Sequence, residues 1–195
     1  EEALAALREG KPVLVADDEN RENEVDAIMA AQFADEKWIG WMIRHTSGYL
    51  CAPMTEQRAN HLELPLMVLS NQDFLRTQYT VSVDAAEGVT TGISAADRAL
   101  TLRTLANPVS TPESLVRPGH ILPLRAHQGG VLARQGHTEA TVDLLKLAGL
   151  TPVGVIAEMV SADGTMTRLP ELKEIGKREG LPVITIEQIV EYRRS

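Results

Sequence analysis

Apolar residues recur along the chain with two different periods, and each change of period marks a boundary between predicted elements. Apolar positions three and four residues apart predict helices, whereas short continuous or alternating apolar runs predict strands. The predicted helices span residues 1–9, 35–48, 55–62, 94–106, 138–148, 170–180 and 187–192. The predicted strands span residues 11–16, 26–32, 49–54, 78–84, 121–124, 151–160 and 183–186.

Three local patterns refine this division. Residues 78–84 place apolar side chains at odd positions and hydroxyl side chains at even positions, which predicts a half-buried strand. Ser94 followed by Asp97 predicts a helix N-terminus closed by a capping box. The dipeptide Pro118-Gly119 predicts a turn before the short strand at 121–124.

Strands and helices are interleaved, but several strands are joined by connections too short for a parallel crossover. No internal repeat, low-complexity tract or interdomain linker interrupts the pattern. We therefore expect a mixed sheet with helices on its faces, in one domain.

The most distinctive polar segment is A-D-D-E-N-R-E-N-E-V-D at residues 16–26, which directly follows a predicted strand. Such a charge run is commonly a solvated surface. Here it lies at a strand end, and Glu22, Glu24 and Asp26 alternate, so an extended backbone would direct all three to one side. Carboxylates held together raise one another's pKa unless a cation joins them. The segment therefore indicates a site for a hard divalent metal ion.

Composition narrows the classes of function. The 195 residues are 44% hydrophobic, which is enough for a full core. A net charge of −8 and 4% aromatic residues disfavour a nucleic-acid-binding surface. Cys51 is the only cysteine, which favours a reducing compartment, and we expect the cytoplasm. No apolar run approaches the length of a membrane span, and the acidic N-terminus is unlike a signal peptide.

A second polar cluster, R-Q-G-H-T-E at residues 134–139, lies at a predicted helix N-terminus, where free backbone N–H groups favour phosphate. Gly136 allows close approach of the backbone, Thr138 adds a hydroxyl, and Arg134 supplies a bidentate charge. His137 beside the positive helix end should be neutral, the form that binds a metal. The alternative is that Thr138 only caps the helix and His137 is a surface residue.

Further candidates stand alone in the sequence. Glu158 lies in an apolar run, so it must face a polar site, be paired, or sit on a solvent face. His120 follows the predicted turn and is either a proton carrier or an ordinary loop residue. Residues 90–92, T-T-G, offer another phosphate contact, and Cys51 within a strand is more often core than catalytic. Together these groups predict metal-assisted acid–base chemistry on a small sugar phosphate.

Five longer motifs resemble one family. D-D-E-N-R-E-N-E-V-D, R-H-T-S-G-Y-L-C, A-A-E-G-V-T-T-G-I-S-A-A-D-R, R-P-G-H-I-L-P-L-R-A and R-Q-G-H-T-E-A-T occur in the order found in 3,4-dihydroxy-2-butanone 4-phosphate synthases. The resemblance runs from the first predicted helix to the last. It implies a single-domain α+β fold, a three-layer α/β/α sandwich around a mixed, partly antiparallel sheet.

The resemblance also implies an activity. Family members are lyases of riboflavin biosynthesis that convert D-ribulose 5-phosphate to 3,4-dihydroxy-2-butanone 4-phosphate and formate. They use Mg²⁺ or a similar ion such as Mn²⁺, need no organic cofactor, and form homodimers with active sites at the subunit interface. Removal of the C3 proton gives an enediolate, whose charge would be stabilised by bound Mg²⁺. Loss of the C1 hydroxyl, a skeletal shift and release of C4 as formate follow.

Site residues follow from the resemblance position by position. Glu22 and His137 are implied as metal ligands, with Glu24 near the metal. His120 and Glu158 are implied as the essential acid–base pair, and His120 is expected to reach a site shared with the partner subunit. The implied substrate contacts are Arg21, Glu22, Asp26, Arg134, Gln135, Gly136, His137, Thr138 and Glu158.

The chain departs from the family pattern at two places. Val25 stands where glycine is most common, and a positive φ there would strain a β-branched residue. Residues 71–77 lack a glycine often seen in that segment. Neither change removes a proposed ligand, so we expect an active enzyme.

Some family members carry a fused GTP cyclohydrolase II domain after this point. We therefore expect residues 1–195 to be a single synthase domain, either standing alone or excised from such a bifunctional chain. Two alternatives remain open from sequence: another metal-dependent sugar-phosphate isomerase or lyase, and a non-catalytic sugar-phosphate-binding domain. The first would turn over substrate without releasing formate, and the second would bind without turnover.

Overall fold

A seven-stranded sheet runs through the middle of the molecule, and the computed structural model describes all of residues 1–195. The strands are β1 (Val13–Ala16), β2 (Val25–Ala30), β3 (Cys51–Thr55), β4 (Val83–Ala85), β5 (Leu115–Ala126), β6 (Gly154–Glu158) and β7 (Val183–Thr185). The helices are α1 (Glu2–Arg8), α2 (Glu36–His45), α3 (Glu56–His61), α4 (Ala95–Ala106), α5 (His137–Leu147), α6 (Leu169–Glu179) and α7 (Ile186–Arg194). No helix combines the length and apolar character needed to cross a membrane.

The strand order is β4-β5-β3-β6-β2-β1-β7. The β3/β5 and β1/β7 pairs are parallel, and the remaining neighbours are antiparallel. The prediction of a mixed, partly antiparallel sheet is therefore confirmed.

Two apolar clusters lie on opposite faces of this sheet. One contains buried residues of α2, α3, α4 and α6, and the other contains buried residues of α1, α5 and α7. Strand residues alternate between them: Leu14 packs in the first cluster, and Val13 and Val15 pack in the second. Each fully buried leucine contributes roughly 2 kcal/mol, so both layers are held by apolar burial. The three-layer α/β/α arrangement is confirmed.

Helix N-termini are fixed largely as predicted. Asp35 and Thr55 accept hydrogen bonds from backbone N–H groups at the starts of α2 and α3. Ser94 likewise accepts from the Asp97 N–H at the start of α4. The prediction of a capping box is wrong. The Asp97 carboxylate instead accepts hydrogen bonds from two residues of the preceding loop, Thr90 and Gly92.

The strand predicted over residues 78–84 is also shorter than expected. Only Val83–Ala85 forms β4, while Tyr79 and Thr80 make isolated bridges. Thr80 is fully buried, and its hydroxyl donates to the carbonyl oxygen of Pro123 at 3.0 Å. The alternation predicted an exposed face that includes Thr80, but this residue is buried because its hydroxyl is hydrogen-bonded inside the fold.

The dipeptide Pro118-Gly119 does not end the strand, because it lies within β5, but the chain is irregular there. Val83 pairs with Ile121 while Asp84 pairs with Val116, so residues 117–120 form a bulge. A β-carbon on Gly119 would lie 1.9 Å from the backbone carbon of Val83. Glycine is therefore needed here so that the backbone of β4 can approach β5 closely. As a consequence, His120 lies on a strand.

Val25 adopts a strand conformation and is 1% exposed, so the strain considered for it does not arise. The positive φ of this segment falls on Asn23, at 52°, a residue type that tolerates it. The acidic segment therefore folds with valine at this position.

Candidate active site

Two carboxylates face the same side of the sheet at the adjoining ends of β2 and β6. Asp26 and Glu158 are paired directly across these antiparallel strands. Their neighbours Ala27 and Ala157 pack in the cluster on the α2 side, so both carboxylates point to the α5 side. The N-terminus of α5 lies on this side and starts with His137.

A cavity of about 60 Å³ lies between these strand ends and the first turn of α5. It brings together residues that are far apart in the sequence, and most of the predicted site residues line it. They are Arg21, Glu22, Asp26, Arg134, His137, Thr138 and Glu158. Glu24, expected near the metal, lines the same cavity.

The acidic segment is folded around Asp17. Its fully buried carboxylate accepts hydrogen bonds from the backbone N–H groups of Glu22 and Glu24, at 3.2 and 2.9 Å. Arg21 donates to the same carboxylate at 3.0 Å and also contacts Glu22. Asp17 was not among the predicted site residues, because nothing in a run of acids distinguishes the one that folds inward.

His137 is buried and held in a defined tautomer. Its Nε2–H donates to the carbonyl oxygen of Val15 at 2.9 Å, so the free electron pair lies on Nδ1. Burial lowers the pKa of His137 to about 4, although the negative charge of Asp17 opposes this shift. The imidazole is therefore neutral at pH 7, as a metal ligand must be.

Ligand atoms of Asp17, Glu22 and His137 lie within 4.8 Å of one another. Asp26 adds an oxygen, Oδ1, that is 3.6 Å from His137 Nδ1 and has no hydrogen-bond partner. Burial, followed by the charge of Glu158, raises the pKa of Asp26 well above its usual range. Several carboxylates, a neutral imidazole and an unsatisfied buried oxygen fit a hard divalent cation.

Two guanidinium groups meet at Gly136, the residue before α5. A β-carbon on Gly136 would lie 2.4 Å from Nη1 of Arg134 and 3.0 Å from Nη2 of Arg21. A larger residue here would displace both groups and the Glu139 carboxylate at 2.9 Å, so glycine keeps them beside the helix N-terminus, whose backbone N–H groups favour anions. The geometry suits a phosphate group.

The alternative for Thr138, a simple helix cap, is not what the structure has. Gly136 is the N-cap residue, no side chain caps the helix, and Thr138 is buried at the cavity wall. Arg134 is held by Glu139 at 2.7 Å and by the carbonyl oxygen of Leu75 at 3.1 Å. The cluster is thus built into the fold and is not a surface feature.

Glu158 has a partner that the sequence did not indicate. The Ser47 hydroxyl donates to Glu158 Oε2 at 2.6 Å, and the Ser47 N–H donates to the Glu158 carbonyl oxygen at 2.7 Å. Glu158 is therefore neither unpaired nor merely solvated. Ser47 lies in the R-H-T-S-G-Y-L-C motif just after α2, but that motif does not indicate its partner, and the fold brings it to β6.

Cys51, Thr77 and Tyr79 also line the cavity, together with apolar side chains. Burial, with the nearby charge of Glu158, raises the pKa of the Cys51 thiol well above its ordinary value. The same burial raises the pKa of the Tyr79 hydroxyl. Both groups stay protonated at neutral pH and form a weakly polar wall opposite the carboxylates.

Comparison with known proteins decides the family. The family model for 3,4-dihydroxy-2-butanone 4-phosphate synthase matches residues 1–192. The chain belongs to the 3,4-dihydroxy-2-butanone 4-phosphate synthase family. The synthase of Vibrio cholerae is 53% identical over 193 residues, covering 99% of this chain and 88% of that protein. A solved synthase structure in complex with two magnesium ions has a TM-score of 0.95 and 46% identity, covering 97% of this chain and 94% of that one.

The chain is also similar to part of a longer protein. Riboflavin biosynthesis protein RibBA of Salinispora arenicola is 56% identical over 194 residues, covering 100% of this chain and 46% of that protein. The chain thus spans about half the length of the Salinispora relatives that it matches.

Three predicted residues of this synthase family member do not line the cavity: Gly136, the N-cap residue of α5, Gln135 and His120. Gln135 lines a larger neighbouring cavity of about 720 Å³, on the other side of the acidic segment, that includes neither His137 nor Glu158. His120 lines neither cavity and lies on β5, with its ring Nδ1 2.8 Å from Asp84 Oδ2. The larger cavity lacks the proposed chemistry, so the smaller one is the candidate active site.

Proposed function

We propose that this chain converts D-ribulose 5-phosphate to 3,4-dihydroxy-2-butanone 4-phosphate and formate, a step of riboflavin biosynthesis. Membership of the synthase family supports this activity. The observation that carries it is the grouping of carboxylates, a neutral histidine and two guanidinium groups around one cavity. Such a set can hold a cation, bind a phosphate and move protons.

Glu22 and His137 are the proposed metal ligands, and the short separations among Asp17, Glu22 and His137 support this assignment. Bound there, Mg²⁺ or Mn²⁺ would supply a Lewis acid for the substrate oxygens. The backbone carbonyl of Val15 keeps the His137 electron pair on the side of the carboxylates.

Arg21, Arg134, Gly136 and Thr138 are the proposed phosphate contacts, and their convergence at the N-terminus of α5 supports this role. Asp26 would contact the substrate beside the metal ligands. Gln135 faces the other side of the acidic segment, so its proposed contact depends on a movement of its side chain.

Glu158 and His120 are the proposed acid–base pair. Glu158 faces the cavity, and the Ser47 hydroxyl fixes one of its oxygens. Its other oxygen, Oε1, can accept or return a proton at the sugar carbons and hydroxyls. His120 would carry a proton from outside the protomer's own cavity.

We further propose a homodimer in which His120 serves the cavity of the partner subunit. A volume of about 60 Å³ encloses only part of a pentose phosphate, so the cavity needs a further wall. Two half-exposed apolar residues suit an interface in this region: Ile93 follows Gly92, which lies close to the His120 ring, and Val116 pairs with Asp84. The single continuous sheet supports treating residues 1–195 as one synthase domain. A reducing, cytoplasmic location stays a prediction from the single cysteine.

A formate assay with D-ribulose 5-phosphate tests the proposed reaction. We expect formate release that requires Mg²⁺ and that Glu158→Gln reduces by about 10²-fold or more. Asp163→Asn, at an exposed turn that does not line the cavity, is the matched control and should release formate at the wild-type rate. Metal-dependent loss of substrate without formate would instead identify an isomerase, and binding without turnover would identify a non-catalytic domain.

A further inference from the structure

His120 and Asp84 form a two-point contact between β5 and β4. The His120 backbone N–H donates to Asp84 Oδ1 at 2.8 Å, and the ring Nδ1–H donates to Asp84 Oδ2 at 2.8 Å. Both oxygens of one carboxylate are therefore used by one residue. The Asp84 side chain is 9% exposed, whereas that of His120 is 41% exposed.

The loop before α4 covers this contact closely. Gly92 has a φ of +93°, and a β-carbon there would lie 2.1 Å from Asp84 Oδ2 and 2.7 Å from His120 Nδ1. Asp97 fixes the loop, because its buried carboxylate accepts from the Thr90 N–H, the Thr90 hydroxyl and the Gly92 N–H at 3.1, 2.6 and 3.0 Å. The pair is thus confined on three sides, by β4, β5 and this loop.

The geometry also determines the tautomer of the imidazole. A carboxylate accepts hydrogen bonds but does not donate them, so the His120 Nδ1 facing Asp84 must carry the proton. The free electron pair then lies on Nε2, which has no hydrogen-bond partner in the protomer and belongs to the half-exposed side chain. Nε2 is therefore the atom available to a proton donor outside the protomer.

We propose that Asp84 is a positioning residue for the reaction: it orients His120 and holds it in the tautomer whose Nε2 accepts the proton. This inference rests on the proposed acid–base role of His120. Asp84 does not touch substrate and acts only through the imidazole. A carboxylate in this role also stabilises the imidazolium once Nε2 has accepted the proton.

Asp84→Asn tests the proposal. The amide oxygen can still accept the His120 backbone N–H, but the amide NH₂ would then face Nδ1 as a donor. The ring must switch to the Nε2–H tautomer, which cannot accept a proton at Nε2. We expect kcat for formate release to fall about 10²-fold or more, with the KM for ribulose 5-phosphate changed less than about threefold.

A spectroscopic readout separates this role from a structural one. In ¹⁵N-histidine-labelled wild-type protein, neutral His120 should be protonated at Nδ1, and in Asp84→Asn it should be protonated at Nε2. A His120→Gln variant assigns the resonances. Asp163→Asn, which replaces an exposed turn carboxylate, is the matched control and should change neither tautomer nor kcat.

Two results would overturn the proposal: an Nε2–H tautomer of His120 in the wild-type protein, or wild-type kcat in Asp84→Asn. The wild-type tautomer needs no variant, so the test stands even if Asp84→Asn folds poorly. A wild-type protein that releases no formate would refute the proposed reaction instead. That outcome is distinct from an active enzyme in which Asp84→Asn has no effect.

Discussion

The molecule holds two functional histidine candidates in opposite surroundings. His137 begins α5, is buried, and has a backbone carbonyl as the hydrogen-bond acceptor of its Nε2–H. His120 lies on β5, is partly exposed, and has a carboxylate as the acceptor of its Nδ1–H. The two rings therefore present different nitrogens, Nδ1 and Nε2, to their sites.

These different surroundings indicate different roles for the two histidines. Burial keeps His137 uncharged by lowering its pKa, although the hydrogen bond to the Val15 carbonyl acts in the opposite direction. The neutral ring suits a metal, since a metal ligand must offer an electron pair. A carboxylate partner and access to solvent suit His120 to proton transfer, because the carboxylate stabilises the ring when it becomes charged. The hydrogen-bond partner, more than the residue type, separates the two roles.

The largest expected effect comes from removing each ring in turn. His137→Asn and His120→Asn should each lower kcat/KM by about 10²-fold or more, because each removes a group needed in the reaction. Only His137→Asn should weaken Mg²⁺ binding, by at least about 10-fold, as measured by isothermal titration calorimetry. Equal Mg²⁺ affinities in the two variants would contradict the assignment of His137, and not His120, as a metal ligand.

A smaller effect, on the KM for the substrate, is expected from crowding the proposed phosphate contacts beside His137. Gly136→Ala places a methyl group 2.4 Å from Arg134 Nη1, so the guanidinium groups must move apart. The KM for ribulose 5-phosphate should rise about 10-fold while Mg²⁺ affinity is retained.

Gly40→Ala in α2 is the matched control for this crowding. Its nearest neighbour is a flexible arginine end at 3.4 Å, so both KM and kcat should stay at their wild-type values. An unchanged KM in Gly136→Ala would show that the phosphate lies elsewhere.

The smallest expected effect is on the stability of the metal-free protein. The folded protein keeps a proton on Asp26 that the unfolded chain loses near pH 4, so stability falls as pH rises through the raised pKa. Asp26→Asn removes this dependence. In EDTA at pH 8 the variant should melt about 2–4 °C higher than wild type, and the difference should vanish near pH 4.

Asp84→Asn, in the region of His120, should have the opposite effect on the melting temperature. Its amide forms a weaker hydrogen bond to the His120 ring than the carboxylate does, so the variant should melt lower than wild type at pH 8. Differential scanning calorimetry with and without EDTA measures both variants. A lower melting temperature for Asp26→Asn at pH 8 would contradict the account of crowded, uncompensated carboxylates around His137.

The sequence predicted the fold class and most of the residues around the cavity, because those predictions depend on residues that are close together in the chain. The helix caps at Asp35 and Thr55 are set by neighbouring residues. The alternation in the acidic segment and the glycine before α5 likewise pointed to the residues that now line one cavity.

What the sequence did not predict depends on contacts between distant segments. Ser47 reaches Glu158, and Asp84 reaches His120, through strand pairing and helix packing that no local pattern encodes. Gly119 was interpreted as a turn residue because its actual role depends on another strand, whose Val83 approaches it closely. Partners of site residues were therefore harder to predict than the residues themselves.

The central claim is that the two histidine regions serve one reaction from different subunits. It is tested most directly by mixing His120→Asn with Glu158→Gln after joint unfolding and refolding, then measuring formate release. Each variant alone should be nearly inactive, because every site lacks one group. In a mixed dimer with shared sites, one site carries both substitutions and the other carries neither.

The account predicts recovery of about a quarter of wild-type formate release, since half of the randomly formed dimers are mixed and each has one intact site. Activity that stays at the level of the separate variants would contradict it. That result would place His120 and Glu158 of the same protomer in one site.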